Sequence, residues 1–304
     1  MLLRNGKVMS QKKFNMTMNV NPDKLYDVLS KCNEHERDKQ IQFEEVGHKY
    51  TILCDPKSKY TSVTTWNHSH FPKFDADAII KSMMAGKNWK EGHKYWGMTP
   101  EQIKKQWSNN SSSVSSAGTD MHYLIECFMN NPAIVAKYTN KDILEYWSER
   151  AIKDSEGQSK EWSYFLKFVQ DFNNLVPYRT EWLIYDEDLK LAGAIDMVFE
   201  NPDGTLTIAD WKRSKEITKV NNFNRFALTP VISHLPDSNF WHYALQLNTY
   251  RAILQKKYGK KVSHLCLVRL HPDNEEKTYE LLEVPLMDKE IDELFELRKK
   301  YILK

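Results

Sequence analysis

Apolar and polar positions follow two different periods along this chain, and the switch between them divides it. Val114, Ala117, Met121, Leu124, Ile125 and Phe128 recur at helical spacing, which predicts an amphipathic helix from about Ala117 to Met129. Helices are expected near Lys141–Ile152 and Glu161–Leu175, with Pro177 ending that run. The period then shortens. Glu181–Tyr185, Leu191–Phe199 and Thr205–Trp211 read as three strands, joined by Asp186-Glu187-Asp188 and by Asn201-Pro202-Asp203-Gly204. A long helix capped by Asp237 or Ser238 runs to Tyr258 and stops at Gly259. Val262–Leu270 and Thr278–Val284 are the last expected strands, and Lys289–Lys300 a closing helix.

Upstream the pattern is weaker. A short helix fits Pro22–Lys31, and a hairpin fits His48–Leu53 and Tyr60–Trp66 around Asp55-Pro56-Lys57-Ser58. Asp75 can cap a helix through Met84, and Thr99-Pro100-Glu101-Gln102 carries a cap, a first-turn proline and a capping-box glutamine. Ser108–Ser116 reads as a loop by composition, either a connector or a segment that orders over a ligand. The expected fold class is therefore α/β, a central mixed sheet flanked by helices, over residues 108–304. A mostly helical part over residues 1–107, a hairpin plus helices, precedes it and could form a channel.

Composition changes this picture little. The 304 residues are 41% hydrophobic with net charge +2, so a polycation coating nucleic acid is excluded, and any polyanion contact needs local clustering of charge. No apolar run suits a membrane span or a signal peptide, so the expected location is intracellular, in cytoplasm or nucleus. Cys32, Cys54, Cys127 and Cys266 are scattered without a Cys-x-x-Cys pair, which argues for reduced, partly buried thiols rather than a zinc ribbon or an iron–sulfur cluster. No Gly-x-x-x-x-Gly-Lys-[Ser/Thr] loop is present, so no ATP chemistry is expected.

The chemistry concentrates in Ala192-Gly193-Ala194-Ile195-Asp196 and Ile208-Ala209-Asp210-Trp211-Lys212. A tight turn at Pro202–Gly204 pairs Asn201 with Thr205, and that register sets Asp196 opposite Asp210. Lys212 shares a face with Asp210, and Trp211 points the other way. Two facing carboxylates in an apolar sheet repel and are poorly solvated. A shared proton would relieve them, as would a divalent cation on oxygen ligands. A buried Asp–Lys ion pair beside a second, solvated Asp is the plainer alternative.

Gly193-x-x-Asp196 followed by Asp210-x-Lys212 resembles the core of the PD-(D/E)XK nuclease superfamily. Gly118-Thr119-x-x-His122-x-x-x-Glu126 is similar to the upstream helix motif of its RecB-like branch, and Gln246-x-x-x-Tyr250 to its downstream motif. Asp210-Trp211-Lys212 also resembles the mitochondrial genome maintenance exonuclease family, and Leu228–Asp237 looks like relatives in large DNA viruses, which would place the protein in a host cell. The resemblance covers roughly Gly118–Leu254. It implies a restriction-endonuclease-like fold and a Mg²⁺- or Mn²⁺-dependent deoxyribonuclease, an exonuclease or end-processing enzyme of DNA replication, repair or recombination. Asp196, Asp210 and the Trp211 backbone carbonyl would hold metal, with His122 as a further ligand, and Lys212 would assist the nucleophile. Gln246 and Tyr250 would bind or orient DNA, Glu126 would orient His122, and Glu181 would approach the site. Single-stranded or end-containing DNA is the expected substrate, and a helicase or recombinase would be a separate chain. An endonuclease, or an inactive nucleic-acid-binding protein on the same fold, are the alternatives.

Two features stay open. Asn88–Trp96 mixes aromatics and bases in a way that suits stacking on single-stranded bases, and buried Trp in a helical subdomain explains it equally well. Lys256-Lys257, Lys260-Lys261 and Arg298-Lys299-Lys300 read as solvated faces that could also follow a phosphate backbone.

Overall fold

A computed structural model describes residues 28–130 and 159–303. Most of the Pro22–Lys31 segment and all of Lys141–Ile152 lie outside these residues; what is described of the former is a short helix α1, Val28–Cys32.

The turn after Glu200 fixes the register of the central sheet. Asn201 N–H donates to the Thr205 carbonyl at 2.8 Å, and Gly204 takes the φ of 77° that the turn requires. Strands β5 (Leu191–Glu200) and β6 (Leu206–Lys212) therefore pair antiparallel, Phe199 opposite Thr207 and Met197 opposite Ala209. β4 (Val176–Asp186) lines the other edge of β5. β6 pairs in parallel with β7 (Val262–Arg269), and β7 antiparallel with β8 (Glu280–Glu283). The sheet is mixed, as expected.

Helices cover both faces. Leu206 and Ile208 of β6 join a core with α6 (Asn239–Lys257) and α7 (Asp288–Ile302). Ala209 and Trp211 face the opposite way, into a core with α4 (Pro100–Met129) and α5 (Lys160–Asp171). Trp211 meets Phe165 and Phe168 edge-on, with ring centroids 5.6 and 5.4 Å away.

Three expectations are corrected. Tyr60–Trp66 is not half of a hairpin. β1 (Ile41–Glu44) pairs with β2 (Lys49–Ile52), whereas Thr61–Ser62 forms a short β3 in parallel with β5, followed directly by helix α2 (Val63–His68). The Ser62 hydroxyl caps that helix by accepting from Thr65 N–H, so a local cap overrides the β preference of Val and Thr. The segment Ser108–Ser116 is not a loop but the middle of α4, continuous from the Thr99–Gln102 capping box to His122 and beyond. The thiols of Cys32 and Cys54 are exposed rather than partly buried. The Asp75 cap holds, opening α3 (Ala76–Met84). Among the described residues no helix is long and apolar enough to cross a membrane.

Candidate active site at the fork between two strands

Pairing of β5 with β6 stops at Met197 and Ala209, and on the same edge β3 takes up pairing only at Leu191 and Ala192. Between these two contacts the strands part, and the polar groups gather in the opening. One step beyond the last pair, the register brings Asp196 opposite Asp210. Asp196 Oδ2 accepts from Trp211 N–H at 3.1 Å. On the other side of β5, Thr180 pairs with Met197 and Trp182 with Ile195, so Glu181 stands level with Asp196. Three acidic residues thus lie in a row across β4, β5 and β6.

Glu181 has φ of 43°, a left-handed conformation inside a strand. For a non-glycine residue this costs about 1–2 kcal/mol, and such strain is usually held by surrounding structure at sites of function. Ligand atoms of Glu181, Asp196 and His122 lie within 4.8 Å of one another. His122 comes from α4. Its Nε2 donates to the Trp211 carbonyl oxygen at 2.8 Å, and its Nδ1 lies 3.5 Å from Asp196 Oδ2. The helix is anchored two turns further on by Asn130, fully buried, which donates to Thr180 Oγ1 at 2.7 Å and accepts from Leu29 N–H at 3.0 Å. That clamp fixes α4 against the residue next to Glu181.

Asp210 sits beside this group rather than within it. It is 2% exposed, and Lys212 Nζ lies 2.5 Å from its Oδ2 in a close ion pair. Burial first, then the charge of Asp196, push the Asp210 carboxyl up to about 7, against the opposing pull of Lys212. Lys212 moves the other way. Burial would lower it, but Asp210, Asp196 and Tyr243 outweigh that and hold the ammonium charged, 4.4 Å above the Tyr243 ring.

The downstream pair from α6 meets the site differently from the sequence expectation. Tyr250 is 2% exposed, and Gln246 Nε2 donates to its hydroxyl at 3.2 Å. A Cβ on Gly193 would stand 2.7 Å from Tyr250 Cε1, so only glycine lets the ring lie against β5. Gln246, half-buried, is the member of the pair that reaches the surface. Glu126, 8% exposed, lines an open cleft of about 650 Å³ together with Glu181 and Arg179.

The sequence marks Glu181 only as a residue that would approach the site, because one glutamate on a strand carries no spacing signal and its φ cannot be read from composition. It also gives Gly193 no physical role beyond its motif.

The arrangement suits a hard divalent cation. It offers carboxylate oxygens, one imidazole and one backbone carbonyl, with the buried Asp210–Lys212 ion pair beside them.

The family model of the PD-(D/E)XK nuclease superfamily matches residues 97–302. No curated protein matches the chain. Among solved structures, a "putative exonuclease" from Eubacterium rectale aligns at 12% identity and a TM-score of 0.31. The alignment covers 55% of this chain and 63% of that one.

Proposed function

Because the chain belongs to the PD-(D/E)XK nuclease superfamily, we propose that it is a metal-dependent deoxyribonuclease, acting as an exonuclease or end-processing enzyme in DNA replication, repair or recombination. The observation that carries this reading is the fork itself, with Glu181, Asp196 and His122 around one point and Asp210 with Lys212 beside it.

Asp196, Asp210, His122 and the Trp211 carbonyl would hold Mg²⁺ or Mn²⁺, with Glu181 as a further ligand. Such an ion supplies Lewis-acid polarisation of the phosphoryl oxygen and a more acidic water. Lys212, paired with Asp210, presents an ammonium that can donate hydrogen bonds. It orients the attacking water and steadies negative charge building on the phosphate. Asp210 holds Lys212 in place through their charge contact. Gln246 faces the substrate, and Tyr250, buried behind it, positions Gln246 through their hydrogen bond. Glu126, one turn after His122 on α4, orients that side chain.

The test is degradation of end-labelled DNA in the presence of Mg²⁺. Asp210→Ala and Lys212→Ala should each lower the rate at least about a hundredfold, the scale of losing one preorganised charge at a reacting phosphate. Unchanged rates in both would sink the assignment. Calorimetry with Mn²⁺ separates a nuclease from an inactive relative, since an inactive relative shows no binding that depends on Asp196.

A further inference from the structure

The arm that precedes the site is dressed with rings that no core covers. Between Pro72 and Asp120 only Ile80 and Ile103 are buried. Within this arm six rings form a continuous chain. Phe74 meets Trp107 at 6.0 Å and Trp107 meets Tyr95 at 6.1 Å; Tyr95 then meets His93 at 5.9 Å, His93 meets Trp89 at 5.0 Å, and Trp89 meets Trp96 at 5.8 Å. The two ends are open, Phe74 at 72% and Trp96 at 48% exposure. Trp107 Nε1 donates to the Tyr95 hydroxyl at 3.0 Å, which holds the middle of the chain in place. Buried Trp in a helical subdomain therefore does not account for these aromatics.

Charge and position say what fits them. Residues 81–107 carry six lysines against two glutamates, whereas the whole chain is only +2. Lys94 Nζ sits 5.1 Å from the Tyr95 ring. Trp107 and His122 belong to the same unbroken helix, α4. Their fifteen-residue separation corresponds to about 22 Å, and about 100° per residue puts Lys104, Trp107, Ser108, Ser111 and Ser115 within about 60° of His122. Between Glu101 and Asp120 the helix has no carboxylate to repel a phosphate. Unpaired bases stack on rings, and their phosphates require cations nearby. A duplex hides its base faces, and a protein partner would find rings interrupted by lysines.

We propose that the ring chain Phe74–Trp107–Tyr95–His93–Trp89–Trp96 and its lysines form a stacking platform for single-stranded nucleic acid, which leads the strand along α4 to the metal site. The delivery half rests on the nuclease reading above; the binding half does not. At about 3.4 Å per stacked nucleotide, the span from Trp107 to His122 holds about six nucleotides.

Fluorescence anisotropy in EDTA, with labelled oligothymidylate as the probe, tests binding without cleavage. On an oligomer of about thirty nucleotides, Trp96→Ala should raise Kd about tenfold or more, and Trp96→Phe should restore most of the loss. Ser111→Glu should also weaken binding while Ser111→Gln does not, and both are good helix formers that leave α4 intact. An oligomer of about four nucleotides, long enough for the rings but too short for the span to the fork, should still lose affinity in Trp96→Ala. Unchanged Kd on the long oligomer for both Trp96→Ala and Ser111→Glu overturns the platform, as does a parent protein that fails to bind it. An equal loss on blunt duplex overturns it too, because that describes a general polyanion contact. Asp210→Ala should bind as the parent does yet not cleave in Mg²⁺; cleavage by that variant sinks the nuclease reading whatever the Trp96 result.

Discussion

Gly193 shows how one residue couples the sheet to the site. Its missing Cβ admits the Tyr250 ring, and that ring in turn carries Gln246. Gly193→Ala should therefore overpack the contact, destabilising the protein by about 1–3 kcal/mol, and should lower nuclease activity as the Tyr250–Gln246 pair shifts. Thermal melting and DNA cleavage together check this, and a second change, Tyr250→Leu, should recover stability without recovering activity. His70 supplies a pH dependence away from the fork. Its Nδ1 lies 2.8 Å from Thr229 Oγ1, and burial, helped by the charge of Arg298, lowers it to about 4 from 6.5. The folded protein thus prefers neutral His70, and this stability is present above about 6.5 and lost as pH falls towards 4. In urea titrations at pH 7.5 and pH 5, His70→Gln should show a smaller loss on acidification than the parent. Glu181 marks the limit of reading single residues from sequence, since what distinguishes it is a backbone angle.

Among the elements, the β5–β6 hairpin was legible because a short turn with glycine at its positive-φ position leaves one register, and that register set Asp196 against Asp210. The middle of α4 was not legible. Ser and Asn have modest helix propensity and turn-forming habits, and the segment has no apolar stripe to betray its period. What sustains it is the capped start at Thr99 and the buried end at Asn130, each many residues away. Helix α2 was missed for the related reason that Val and Thr favour strands until a serine cap and tertiary packing decide otherwise. Asn130→Ala removes the clamp between α4 and β4 and leaves the Leu29 N–H and the Thr180 hydroxyl short of a partner. The expected loss is about 2–3 kcal/mol, read by denaturant unfolding, with weakened Mn²⁺ binding because His122 is no longer held.

At the scale of the whole molecule, two helical layers hold a sheet that opens at one fork, and the fork collects negative charge from three strands. A cation bound there would tie α4, through His122, to strands β4, β5 and β6. Saturating Mn²⁺, at about a hundred times its Kd, should add about 2.7 kcal/mol and raise Tm by roughly 5 °C. Asp196→Asn should abolish that rise and yet leave the metal-free protein more stable than the parent, since Asp210 no longer faces a like charge. Differential scanning fluorimetry with and without EDTA reads both effects. The unbroken run of α4 has its own consequence. A helix keeps phase, so one residue inserted near Ser112 would swing the aromatic arm by about 100° around the axis relative to His122. Seven inserted residues would bring it back to within about 20° and carry it about 10 Å farther out, which lengthens the measured stretch of strand by about three nucleotides. Helix length in this protein would then act as a gauge, set in whole turns, of how much strand must enter before an end meets the fork.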